Sequence, residues 1–160
     1  MRKIVVLFSI LTAAASVISG SVAQDMSPEE QAAAAVAQRK ALFQTIVYNI
    51  RPIGAMAQGA APFDAEVAAR NGRRIAVMAT MIPEMLAADT SDFDNIETTA
   101  LDSIWDNQDD IAEMAQALID NANAFSEAAE TGDMGATLGA FRGLGGSCGN
   151  CHDTYRVDTD

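Results

Sequence analysis

The sequence predicts an all-α protein, an antiparallel four-helix bundle, and three observations carry that expectation. Ala is abundant, β-branched runs are short, and no stretch alternates apolar and polar residues with the period of two that a half-buried strand needs. Apolar residues recur instead every seven positions, most clearly at Ile104, Ile111, Leu118 and Phe125. Proline, glycine and capping residues divide the chain into four such segments. Two short connections and one longer one then suit helices that fold back on their neighbours.

The first helix begins at Ser27-Pro28-Glu29-Glu30, with Ser as the cap, Pro at the first helical position and Glu at the third. Val36, Phe43 and Ile50 form its inner stripe, Leu42, Ile46 and Val47 widen it, and Pro52 disturbs it. The second helix is expected from Asp64, after Pro62, to Pro83, with Val67, Ile75, Met78 and Ile82 facing inward. Residues 84–102 read as a long acidic loop, least helical at Asp89-Thr90-Ser91-Asp92-Phe93-Asp94. The third helix, from Ile104, also carries Met114 and Ala122 inward and stops near Thr131-Gly132. Glycine suits a left-handed C-terminal position there, and Asp133 can cap the next helix. The fourth sets Leu138, Phe141, Leu144, Cys148, Cys151, His152 and Tyr155 on one broad stripe.

Met1-Arg2-Lys3 is a basic start, Ile4 to Ile18 is apolar with small residues, and Ser21-Val22-Ala23 is a small-x-small cleavage site. We read residues 1–23 as a removable secretory signal and residues 24–160 as a single four-helix-bundle domain. Loss of Arg2 and Lys3 takes the formal charge from −12 to −14. Nucleic acid and anionic membrane are therefore poor partners. Between Arg74 and Arg142 there is no Lys or Arg, yet fourteen Asp or Glu occur. That run is either a solvating surface or a docking face for a basic redox partner.

Cys148-Gly149-Asn150-Cys151-His152 holds both cysteines and the one histidine of the chain. C-x-x-C-H is the attachment motif of a c-type haem: two thiols add across the haem vinyl groups and the histidine binds the iron. On a helix, Cys148 and Cys151 share a face. A zinc site would need further Cys or His, which the chain lacks. A disulfide is the alternative use of an exported cysteine pair. The expectation is one covalent haem c, with His152 as the metal ligand, in a periplasmic protein, because this haem is attached outside the bacterial cytoplasm. The single histidine excludes bis-histidine ligation within the chain. Every methionine lies upstream of the motif, and Met78, Met81 and Met85 look like core filler.

Here the chain resembles the cytochromes c′ and their low-spin relatives, the class II c-type cytochromes. The resemblance rests on Arg39-Lys40-Ala41-Leu42-Phe43, Gly59-Ala60-Ala61-Pro62-Phe63-Asp64, Thr99-Ala100 through Ile104-Trp105, and Cys148 to His152 followed by Asp153-Thr154-Tyr155-Arg156. Low-spin members carry a ligating Met four positions after the first-helix Arg, where cytochromes c′ carry an apolar residue. This chain has Phe43 there, and Phe cannot coordinate. The resemblance thus implies a five-coordinate haem whose distal side is closed by hydrocarbon.

It also implies that Arg39 pairs a propionate, with a solvated Arg at a helix edge as the alternative. Lys40 approaches the propionates, and Thr99 lies near the haem edge. Arg156 lies near the proximal imidazole, or is simply a C-terminal Arg favoured by the helix dipole. An apolar distal wall without a hydrogen-bond donor suits NO and CO better than O₂. Two functions therefore stand: binding or scavenging of NO, and one-electron transfer with a redox partner protein. An enzymatic hydrolase has no nucleophile–His pair once His152 is a ligand. The family's frequent dimerisation through its first two helices makes a homodimer the expected assembly, with the apolar Ala-Met-Ala stretch at residues 55–57 permitting it.

Overall fold

The structure is a computed structural model that describes residues 26–157; the expected signal segment 1–23 lies outside them. Four long helices, α1 (Pro28–Ala57), α2 (Ala65–Ala79), α5 (Gln108–Glu130) and α6 (Met134–Tyr155), are joined by two short ones, α3 (Ile82–Ala87) and α4 (Ser103–Asp106). α2 packs most extensively on α5, α5 on α6, and α1 on α2 and α3; α1 and α6 are not among the extensively packed pairs. The result is the four-helix bundle, with α3, α4 and an irregular stretch over 88–102 closing one side.

Local chemistry sets the helix ends. The Ser27 hydroxyl accepts from the Glu30 amide, 3.2 Å, and the Ser27 amide donates to the Glu30 carboxylate, 2.8 Å. These reciprocal bonds satisfy amides the helix leaves free. Asp64 and Asp133 cap α2 and α6 by accepting from Val67 and Ala136, each at 2.9 Å. Gly132, at φ +74°, takes the left-handed turn between α5 and α6 that a side chain would strain.

Five sequence expectations need correcting. α1 runs through Pro52 to Ala57. Pro52 leaves the Tyr48 carbonyl without its helical donor, and Tyr48 is 71% exposed, so water can supply one. The second helix ends at Ala79, and Pro83 opens α3 instead of ending α2. The loop is thereby shortened at its start by α3, and the third helix is broken at Asn107 into α4 and α5. Val47 and Met81 are exposed, not core.

The core is complete along α2, α5 and α6. Phe125, Ile75, Ile111 and Leu144 are its fully buried large side chains, and Phe125 meets Phe141 with ring centroids 6.0 Å apart. Gly72 lets α2 approach closely: a Cβ there would lie 2.8 Å from Phe125 Cδ1 and 3.2 Å from the Ala122 carbonyl. Among the described residues no helix is long and apolar enough to cross a membrane.

Candidate functional site

Cys148 and Cys151 lie in the last turns of α6, half-buried, with both thiols free and both side chains packed against the core. Cys148 Sγ points back to the Leu144 carbonyl at 3.5 Å. Burial pushes both thiols above the ordinary range, and for Cys151 the neighbouring Cys148 and Asp110 add to the effect. Thiolate is the species that forms disulfides, so the raised values disfavour spontaneous pairing at neutral pH. His152 follows, exposed at the end of the helix rather than inside the apolar stripe, with its pKa lowered by desolvation of the ring and by Arg156 against a smaller opposing effect of Asp153. The shift favours the neutral ring, the form that binds a metal.

Arg39 answers one question the sequence left open. It is 3% exposed, so it is no solvated helix-edge residue. Its Nε and Nη2 donate to the carbonyls of Met85 and Ala88, both at 3.2 Å, and its guanidinium lies 5.6 Å from the centre of the Trp105 ring. Burial lowers its pKa from the usual Arg value. Its third nitrogen, Nη1, is buried without a partner. Lys40, one position on, is exposed and donates to the Glu97 carbonyl at 2.6 Å. Both cations therefore tie α1 to the 85–97 segment.

That segment is in turn stitched to the end of α6. Ala100 and Arg156 form an isolated antiparallel bridge. The Leu101 amide donates to the Tyr155 carbonyl at 3.0 Å and the Val157 amide to the Thr99 carbonyl at 2.8 Å. Thr99 and Arg156, far apart in sequence, are thus brought together one turn beyond His152. Phe43 lies one turn after Arg39 on α1, half-buried against the core alongside Leu42 and Ile50.

Sequence reasoning missed two contacts. Tyr155 donates to Asp110 at 2.5 Å, which ties α6 to α5 beside Cys151 and pushes the phenol up to about 12. The Trp105 indole donates to the Ala88 carbonyl at 2.9 Å, so the ring beneath Arg39 is itself fixed. Neither pair is close in sequence; only the placement of Tyr155 on the apolar stripe hinted at the first.

A sequence profile of the family described as Cytochrome C′ matches residues 34–156. The chain belongs to that family. Cytochrome c-554 of Cereibacter sphaeroides is 33% identical over 119 residues, 74% of this chain and 77% of that one. The solved cytochrome c prime from Shewanella frigidimarina superposes with a TM-score of 0.72 at 36% identity, covering 81% of this chain and 98% of its own. A variant of cytochrome c prime from Alcaligenes xylosoxidans, solved ferrous with bound NO, reaches a TM-score of 0.68 at 25% identity, covering 83% and 98%.

The cofactor of the family is haem c, and the residues here fit it. Two thiols three positions apart and an adjacent neutral imidazole are the donor set of covalent haem attachment. The unpartnered Arg39 Nη1 calls for an anionic acceptor, such as a propionate. Half-buried Leu42, Phe43 and Ile50 supply an apolar surface on α1, a helix that does not pack extensively on α6.

Proposed function

We propose that this chain is a periplasmic haem protein that binds small diatomic gases and scavenges or carries NO, with no catalytic residues of its own. Cys148 and Cys151 would hold the haem through thioethers, and His152 would bind its iron. When bound, the haem would supply an iron able to take up a diatomic ligand. The observation that carries the proposal is Phe43: a side chain that cannot ligate, half-buried on α1 one turn from Arg39.

Phe43 covers the distal side and excludes water from it. It offers no hydrogen-bond donor, so it does not favour O₂, which gathers negative charge on binding, over NO or CO. Arg39, with one nitrogen still to be satisfied, orients the haem through a propionate. Lys40 lies near the same end, while Thr99 and Arg156 line the proximal edge near His152. The NO-bound structure of the Alcaligenes xylosoxidans relative supports the ligand class. The chain assembles as a homodimer through α1 and α2, whose exposed Val47, Tyr48 and Val77 provide apolar surface; Met56 of the 55–57 stretch is 7% exposed and contributes to the core instead.

A second reading, one-electron transfer, draws on the acidic surface. Asp92, Asp94, Glu97, Asp102, Asp106 and Asp109 are exposed along the stretch that leads into α5, a face suited to a basic redox partner. The haem spectrum decides between the two readings. A vacant sixth position gives a high-spin ferric spectrum, and Phe43→Met converts it to low-spin, since thioether binds haem iron well opposite His. The reduced protein is expected to take up NO and CO without forming a stable O₂ adduct. A low-spin resting spectrum sinks the gas-binding proposal and leaves electron transfer.

A further inference from the structure

Acidic residues dominate the charge of the chain, which is −12. Among the described residues a single Asp or Glu is not exposed, and it is Asp110. It lies in the first turn of α5, where free backbone amides favour an anion, next to fully buried Ile111. Tyr155 meets it from α6: the phenol, 6% exposed, donates to Asp110 Oδ2 at 2.5 Å. A carboxylate charge drawn partly out of water is screened less than one on the open surface.

The same tyrosine brings that charge beside the point of haem attachment. Tyr155 follows Cys151 by four positions on α6, so the two share a face, and both pack in the core. Asp110 acts on Cys151 across the helix pair, adding to the burial that holds its thiol protonated. A group bonded to the Cys151 sulfur therefore lies within the field of this carboxylate. Asp106 and Asp109, close by in sequence, are both exposed and face solvent instead.

We infer that Asp110, held by Tyr155 beside Cys151, lowers the reduction potential of the attached haem. Ferric iron carries one more positive charge than ferrous, so a fixed negative charge favours the ferric state. Tyr155 is the positioning residue: its hydroxyl keeps the carboxylate at the α5–α6 seam instead of letting it turn to water. The inference rests on haem attachment at Cys148 and Cys151, and it holds for a gas-binding and for an electron-carrying haem alike.

Spectroelectrochemical titration of the haem-loaded protein tests it, with Asp110→Asn as the principal variant. Asparagine keeps an acceptor for the Tyr155 hydroxyl and removes the charge. At a fixed electrode potential the ferrous-to-ferric ratio should rise roughly threefold or more, about 28 mV at about 59 mV per tenfold change for one electron. Asp109→Asn removes an exposed charge from the adjacent position and should give less than half of that change. Tyr155→Phe alone should raise the ratio in the same direction, and in its background Asp110→Asn should lose at least half of its effect. An unmoved potential overturns the inference, as do equal shifts for the two asparagine variants. A shift accompanied by an altered ferric absorption spectrum also overturns it, because the cause is then iron ligation. An undiminished effect in the Tyr155→Phe background removes the role of Tyr155. Intact mass separates the two levels of the argument. A chain without covalent haem defeats the site reading and this inference with it, whereas attached haem with an unmoved potential defeats this inference alone.

Discussion

Phe125 and Phe43 belong to the same bundle and differ in what surrounds them. Phe125, on α5, is fully buried against Phe141 and the backbone at Gly72, an environment built wholly from the chain. Phe43, on α1, is half-buried, in a stripe with Leu42 and Ile50 and on the side where Arg39 keeps an unpaired nitrogen. The α2–α5–α6 side reads as a core that the sequence completes by itself. The α1 side combines apolar surface with the buried Arg39, one of whose nitrogens is unpartnered, the complement of an amphiphilic group such as haem. One aromatic ring therefore serves stability, and on the function proposed above the other governs ligand access.

The largest effect should come from removing the covalent anchor of the haem on α6. Changing Cys148 and Cys151 together to Ala should abolish covalent haem, read as loss of the roughly 0.6 kDa added to the intact mass of the acid-denatured chain. Loss of so large a buried group should also lower the melting temperature by roughly 10 °C or more. An unchanged melt would show the haem to be peripheral.

The two phenylalanines sharpen the contrast directly. Phe125→Ala should cost about 3–5 kcal/mol in denaturant melts while leaving CO-binding kinetics close to wild type. Phe43→Ala should cost only about 1–2 kcal/mol, since less of its surface is buried, but should accelerate CO binding. Equal costs, or CO kinetics indifferent to residue 43, would erase the distinction.

The smallest effect concerns the Tyr155–Asp110 hydrogen bond, which ties α6 to α5 within the chain-built core side. The phenol is raised from 10.0 to about 12, chiefly by that bond, so its protonated form is favoured in the folded state. Its contribution is therefore full below pH 10 and lost as pH rises through about 12. Thermal melts of the wild type and Tyr155→Phe should differ at neutral pH and converge across that alkaline window. A constant difference would assign the loss to packing instead.

Much of this arrangement was legible in the sequence, for identifiable reasons. The haem motif is contiguous, so its chemistry needs no fold to be read. The heptad of Ile104, Ile111, Leu118 and Phe125 is wholly buried, yet the same repeat concealed the break at Asn107. Ile104 and Ile111 lie on opposite sides of that break, and both still reach the core. Pro83 misled because proline suits the first turn of a new helix as well as the end of an old one. Contacts between distant residues, such as Arg39 with Met85 and Ala88 or Tyr155 with Asp110, leave no periodic trace. Burial of Arg39 emerges only once α3 and Trp105 are folded against it.

Gly72 has one more consequence, for the sliding of α2 along α5. A displacement of a single residue would bring Asn71 or Arg73 to the place where Phe125 and the Ala122 carbonyl admit no Cβ. A full turn would bring Ala68 or Ala76 near it, each with a methyl group the gap does not accommodate. The missing side chain thus acts as an index mark. It selects one longitudinal setting of the two helices, and because α6 packs on α5, it helps fix the height at which Cys148 and Cys151 stand relative to α1.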